Sequence, residues 1–104
     1  MMVDGSGTFS VAREQEGSHV RIVVRGELDI ATVPQLEQHV ASDGSADAVT
    51  LDLSGVTFID STGLRLLLEA HRSIGDRLRI RASPACERLF EITGVRSRFP
   101  VLDG

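Results

Sequence analysis

The chain has 104 residues, enough for one domain with a real core and too few for two. Apolar residues make up 41% and charged residues 25%, the balance of an ordinary globular chain and not of a disordered or membrane-embedded one. Its net charge of −4 argues against a nucleic-acid partner, because phosphate binding needs surplus positive charge.

No apolar run approaches the ~20 residues of a membrane span, and the start lacks a basic segment followed by an apolar one. No membrane partner is expected. The lone Cys86 cannot pair within the chain, which fits a cytoplasmic setting. Trp and Tyr are absent and the four Phe do not cluster, so no base-stacking platform is available.

Met1 to Thr8 is glycine-rich and polar and reads as a flexible N-terminus ahead of one domain over residues 9–104. Phe9 to Glu14 alternates weakly, as a short edge strand does. Gln15-Glu16-Gly17-Ser18 is a turn, and His19 to Arg25 is a second strand with Val20, Ile22 and Val24 on one face. Those two strands form a hairpin. Gly26-Glu27-Leu28-Asp29 then leaves the sheet. Thr32 with Gln35 three residues on fits a capping box, and Pro34 suits a first helical turn. Val33, Leu36 and Val40 make the buried stripe of this helix, and Asp43-Gly44-Ser45 ends it.

Val49, Leu51 and Leu53 alternate with Thr50 and Asp52, the period of a half-buried strand. Ser54-Gly55 reads as a turn, followed by a short hydrophobic run. From Leu64 the period changes. Leu64, Leu67, Leu68 and His71 form one helical stripe, which stops near Gly75-Asp76. Leu66 and Ala70 lie off it, either under a loop or on a face offered to a partner. Leu78, Ile80 and Ala82 give another strand. Ser83-Pro84 opens a last helix with Cys86, Leu89, Phe90 and Thr93 inward and Gly94 just past its end. Arg98 to Leu102 adds a final short strand, which Pro100 confines to an edge.

Strands joined by helical crossovers are parallel and right-handed. A parallel sheet covered on both faces has continuously apolar strands. Here Arg21, Arg25, Asp52, Arg79 and Arg81 fill the second face. The expected fold class is therefore a two-layer α/β domain, with helices on one side of the sheet and water on the other.

The joint Asp60-Ser61-Thr62-Gly63 falls at a helix N-terminus, where unpaired N–H groups and the helix dipole favour negative charge. Two readings follow. Asp60 or Ser61 is an N-cap worth roughly 1 kcal/mol, or the hydroxyl is placed to carry a phosphate. Gly63, costly inside a helix, implies that something approaches its backbone closely, such as a partner protein.

Catalytic signatures are absent from the sequence. There is no glycine-rich phosphate loop, no His-Glu-x-x-His pair and no cysteine cluster, so neither a metal nor another cofactor is expected. His19, His39 and His71 are far apart. Cys86 sits on an apolar stripe as a buried, inert thiol, and Ser61 with Asp60 lacks a positioned base. No catalytic residues are assigned.

Four motifs, in order, resemble one family. They are Gly26-Glu27-Leu28-Asp29-x-x-Thr32, Val49-x-Leu51-Asp52-Leu53, Phe58-x-Asp60-Ser61-Thr62-Gly63-Leu64 and Ser83-Pro84-Ala85-x-x-Arg88-Leu89-Phe90-x-x-x-Gly94. Together they are similar to the STAS domain of bacterial anti-sigma-factor antagonists, over nearly the whole chain. The resemblance implies one STAS domain, a mixed sheet of four to five strands with helices mainly on one face. It implies that Ser61 is a phosphoacceptor, with Thr62 a second hydroxyl beside it where many relatives have serine. The implied partners are an anti-sigma factor that is a serine kinase of histidine-kinase-like ATP fold, and a PP2C-type phosphatase. Unphosphorylated, such a protein binds the anti-sigma factor and frees the sigma factor. By position the contact surface would hold Asp29, Thr32, Asp60, Ser61, Thr62, Gly63, Leu64 and Arg65. The alternative is a STAS scaffold that binds partners without being phosphorylated.

Overall fold

Two-residue alternation carries Val20, Ile22 and Val24 into the core, and the same rule buries Val49, Leu51 and Leu53 on the neighbouring strand. The computed structural model describes the backbone of residues 2–6, 9–41 and 46–99, and side chains over 9–40 and 46–99. Its strands are β1 (Met2–Ser6), β2 (Phe9–Glu16), β3 (His19–Leu28), β4 (Ala48–Ile59) and β5 (Leu78–Arg81). Its helices are α1 (Val33–Ala41), α2 (Ser61–Ile74) and α3 (Pro84–Thr93).

The strands lie in the order β1-β2-β3-β4-β5, antiparallel up to β3 and parallel from β3 to β5. The antiparallel half follows from the β2–β3 hairpin, whose turn places Gly17 at φ 62°. The parallel half follows from the α1 and α2 crossovers. All three helices feed one core with the apolar sheet face, including Leu36, Leu67, Cys86 and Phe90. This is the two-layer α/β domain with a mixed sheet that the alternation implies. Among the described residues no helix is long and apolar enough to cross a membrane.

Several local expectations are corrected. β1 pairs along β2 in the stretch for which the sequence predicts no element. Ser54-Gly55 is not a turn, because β4 runs straight through it. The register shifts there instead, from Val23 opposite Asp52 to Arg25 opposite Gly55, and again between Gly26 and Glu27. These are β-bulges, which lengthen one strand against its neighbour. Asp52 Oδ1 supports the first by accepting from the Ser54 N–H at 3.0 Å and its hydroxyl at 2.6 Å. β3 likewise continues to Leu28.

On α2 the buried set is Gly63, Leu64, Leu66, Leu67, Ala70 and Ile74, so the stripe is centred away from Leu68 and His71. Leu66 and Ala70 thus face α1, where with Glu37, Val40, Glu69 and Ile74 they line a groove of about 390 Å³. Thr93, expected inward, is exposed and donates its hydroxyl to the Leu89 carbonyl at 2.7 Å. Arg98 belongs to a single 3₁₀ turn, Arg96–Arg98, and no strand begins there. Residues 100–102 of that expected strand, and the predicted helix stop at Asp43-Gly44-Ser45, lie outside the described residues. The last helix keeps its expected ends. The Ser83 hydroxyl accepts from the Cys86 N–H at 3.2 Å, and Gly94 closes at φ 74°. Burial pushes the Cys86 thiol up, away from the reactive thiolate.

The polar sheet face is built on Asp52, only 3% exposed, paired with Arg21 from β3. Burial pushes its carboxyl up, but the hydrogen bonds from Arg21 and Ser54 pull harder and hold it below the ordinary value of 3.8. A carboxyl lowered in the folded chain stabilises the fold above its unfolded pKa, and that contribution is lost as pH falls through the folded one. Asp52→Asn is therefore expected to lower stability by about 1 kcal/mol at pH 7, since half-exposed Arg21 keeps its water. In urea titrations the gap to the unmodified chain closes as pH drops below 3.8. A gap independent of pH would refute the charge-based account.

Candidate functional site

Parallel pairing of β3 with β4 brings Leu28 opposite Ile59. The next residues, Asp29 and Asp60, therefore leave the sheet side by side at the carboxyl ends of two adjacent strands, where α1 and α2 begin. Crevices outside strand carboxyl ends are the usual binding places of such sheets. The two loops are tied together, for the Asp60 N–H donates to the Leu28 carbonyl at 3.3 Å.

On the α2 side, Asp60 is the N-cap. Its Oδ1 accepts from the N–H groups of Thr62 at 2.9 Å and Gly63 at 3.1 Å. That places Ser61 at the first helical position, exposed, with no hydrogen-bond partner for its hydroxyl among the described residues. Thr62 is half-buried. Capping by Asp60 and the free hydroxyl of Ser61 are thus compatible, each residue taking one role. The Asp60 carboxylate already occupies two first-turn donors, so a further anion on Ser61 would stand outside them. Asp60→Ala is expected to cost about 1 kcal/mol of folding stability, measured by thermal unfolding. No loss would mean that the cap is dispensable.

On the α1 side, Thr32 precedes the helix but makes no capping box with Gln35. Its hydroxyl donates to the Glu27 carbonyl at 2.8 Å and accepts from the Asp29 N–H at 2.9 Å. Asp29 Oδ1 in turn accepts from the N–H groups of Ala31 at 2.9 Å and Thr32 at 3.2 Å. This reciprocal lock makes the loop 27–32 a rigid shelf. A threonine beside an aspartate satisfies the loop's own backbone before it can serve the helix.

Gly63 and Leu64, expected in the contact surface, are buried. A Cβ on Gly63 would lie 2.8 Å from Ile59 Cγ1, 3.1 Å from Leu28 Cγ and 3.1 Å from the Leu28 carbonyl oxygen. The close approach inferred from this glycine is thus made by the chain's own β3 and β4 ends and not by a partner. Arg65 is 81% exposed on the first turns of α2, its Nε 3.6 Å from Glu69 Oε1.

Two exposed apolar residues lie near these strand ends, and neither was singled out as a site residue in the sequence. Ile30, 75% exposed, follows Asp29, and Phe58, 48% exposed, lies two residues before Asp60 and opposite Glu27 in the sheet. Among the described residues only Ile92 is a comparably exposed large apolar side chain. Ile30 lies in the loop between β3 and α1, and Phe58 falls off the buried positions of β4, so the core pattern claims neither. Among the described residues, no group of three or more His, Cys, Asp or Glu could hold a metal.

The two-layer fold with its mixed sheet is shared with the STAS domain, and the chain belongs to that family. The family model described as Mlab, STAS domain matches residues 11–102. The anti-sigma-B factor antagonist of Staphylococcus aureus is 34% identical over 90 residues, covering 80% of this chain and 82% of that protein. An anti-sigma factor antagonist from Mycobacterium paratuberculosis superposes with a TM-score of 0.83 at 30% identity, over 92% of this chain and 86% of that one. The Bacillus cell fate determinant SpoIIAA in its phosphorylated form shares the fold, with a TM-score of 0.65 at 20% identity over 89% and 91% of the two chains.

Proposed function

We propose that the chain is an anti-sigma factor antagonist of the bacterial cytoplasm, switched off by phosphorylation at Ser61. Unmodified, it docks an anti-sigma factor that is a serine kinase of histidine-kinase-like ATP fold, and so releases a sigma factor. A PP2C-type phosphatase restores the docking form. The observation that carries this reading is the Ser61 hydroxyl, exposed and without a partner among the described residues, beside an aspartate that already caps the helix. A hydroxyl with a structural duty would be bonded; this one is available to a kinase. Ser61 is favoured over Thr62 as acceptor because Thr62 is half-buried.

The docking surface consists of the shelf at Asp29 and Thr32, the helix start at Asp60, Ser61 and Thr62, and Arg65 at the rim. Ile30 and Phe58 supply the apolar anchors that a protein contact needs near its centre. Gly63 and Leu64 act from beneath, seating α2 on the end of β3. The relatives named as antagonists support the same role.

The test is incubation with the cognate anti-sigma kinase and ATP, followed by mass analysis of the peptide 60–64. One added phosphoryl group on Ser61 is expected. Stable binding with no phosphoryl transfer would instead identify a scaffold, and no binding at all would remove the antagonist role.

A further inference from the structure

We infer that Arg65 captures the phosphoryl group once Ser61 carries it, forming an intrahelical clamp that the unmodified chain holds in reserve on Glu69. This rests on Ser61 being the acceptor. Residues four apart lie one above the other on a helix, so Arg65 is the neighbour of Ser61 on the exposed face of α2. Helical side chains lean toward the N-terminus, which aims the long Arg65 side chain back at Ser61. At present Arg65 instead turns forward to Glu69, where its Nε stands 3.6 Å from the carboxylate with both groups well exposed, at 81% and 54%. An acid four residues after a base is the weaker of the two orders, and an acid four residues before is the stronger. A phosphate at position 61 offers that stronger order, with about twice the charge.

Among the described groups of α2, few others could hold this phosphate. The N–H groups of Thr62 and Gly63 are committed to Asp60. α2 has no acidic residue in its first turn to compete for Arg65. The next basic residues of the helix, His71 and Arg72, lie about 15 Å or more along its axis from Ser61. Capture has two consequences. It holds the phosphate flat on the helix across the proposed docking surface, and it withdraws Arg65 from the partner. Modification therefore removes a cation from the contact as well as adding an anion.

The test uses the full chain with phosphoserine placed at position 61 during translation, so no kinase is involved. The second pKa of the phosphate is read by phosphorus NMR titration at low salt. Arg65→Gln is expected to raise it by about half a unit, a threefold change in proton affinity. Glu69→Gln frees the arginine and lowers it, while the distant Arg72→Gln leaves it unchanged. Circular dichroism checks that each variant is folded. An Arg65→Gln chain that titrates like the unsubstituted one, or an equal shift from Arg72→Gln, overturns the clamp. That result would leave the role of Ser61 standing, whereas failure of kinase and ATP to modify Ser61 would remove the role and leave this titration unaffected.

Discussion

Ser61→Asp should bind the anti-sigma kinase at least tenfold more weakly than the unmodified chain, whereas Ser61→Ala should bind as tightly and accept no phosphate. The argument is electrostatic. The site already holds the Asp60 carboxylate beside Ser61, and Asp29 leaves the adjacent strand end. A partner face shaped for a neutral hydroxyl would have to desolvate the added charge without pairing it, which costs several kcal/mol. Every 1.4 kcal/mol is a factor of ten in affinity. The helix terminus gives little relief, since Asp60 occupies the N–H groups of Thr62 and Gly63. Ser61→Ala removes a hydroxyl that has no hydrogen-bond partner among the described residues, so the fold and the docking surface should persist. Calorimetric titration of both variants into the kinase decides the matter. Equal affinity of Ser61→Asp and the unmodified chain would exclude a charge switch at this position.

Those charges could be placed from the sequence because the elements that present them have strong periods. Val20-x-Ile22-x-Val24 and Val49-x-Leu51-x-Leu53 each bury one sheet face, and the chain order alone then dictates parallel pairing across α1. What the sequence concealed was local competition for hydrogen bonds. Thr32 has the spacing of a capping box, yet its hydroxyl is taken by Glu27 and Asp29, which lie closer in the folded loop. Ser54-Gly55 has turn chemistry, but Asp52 binds both donors of Ser54 and the sheet absorbs the extra residue as a bulge. Leu66 and Ala70 face α1, whose position no helical period on α2 can encode. The exposure of Ile30 and Phe58 is of the same kind, visible only once β3 and β4 end side by side.

Gly63 tests the geometry underneath the site. In an isolated helix, glycine to alanine gains about 1 kcal/mol, so a free helical position would make Gly63→Ala a stabilised protein. The opposite is expected here, a loss of about 1–3 kcal/mol in urea denaturation. The added Cβ would stand 2.8 Å from Ile59 Cγ1 and 3.1 Å from the Leu28 carbonyl oxygen. A side chain can turn aside, but the carbonyl cannot, because Leu28 is the last residue of β3 and its oxygen accepts from the Asp60 N–H. Relief must therefore come from lifting the first turn of α2 off the strand end. That motion stretches the Asp60 bond and carries Ser61 and Arg65 with it, away from the shelf at Asp29. Gly63→Ala should accordingly lose partner affinity together with stability, although residue 63 itself offers no surface to the partner. A Gly63→Ala chain as stable as the unmodified one would show that α2 is not pinned to β3 at this point.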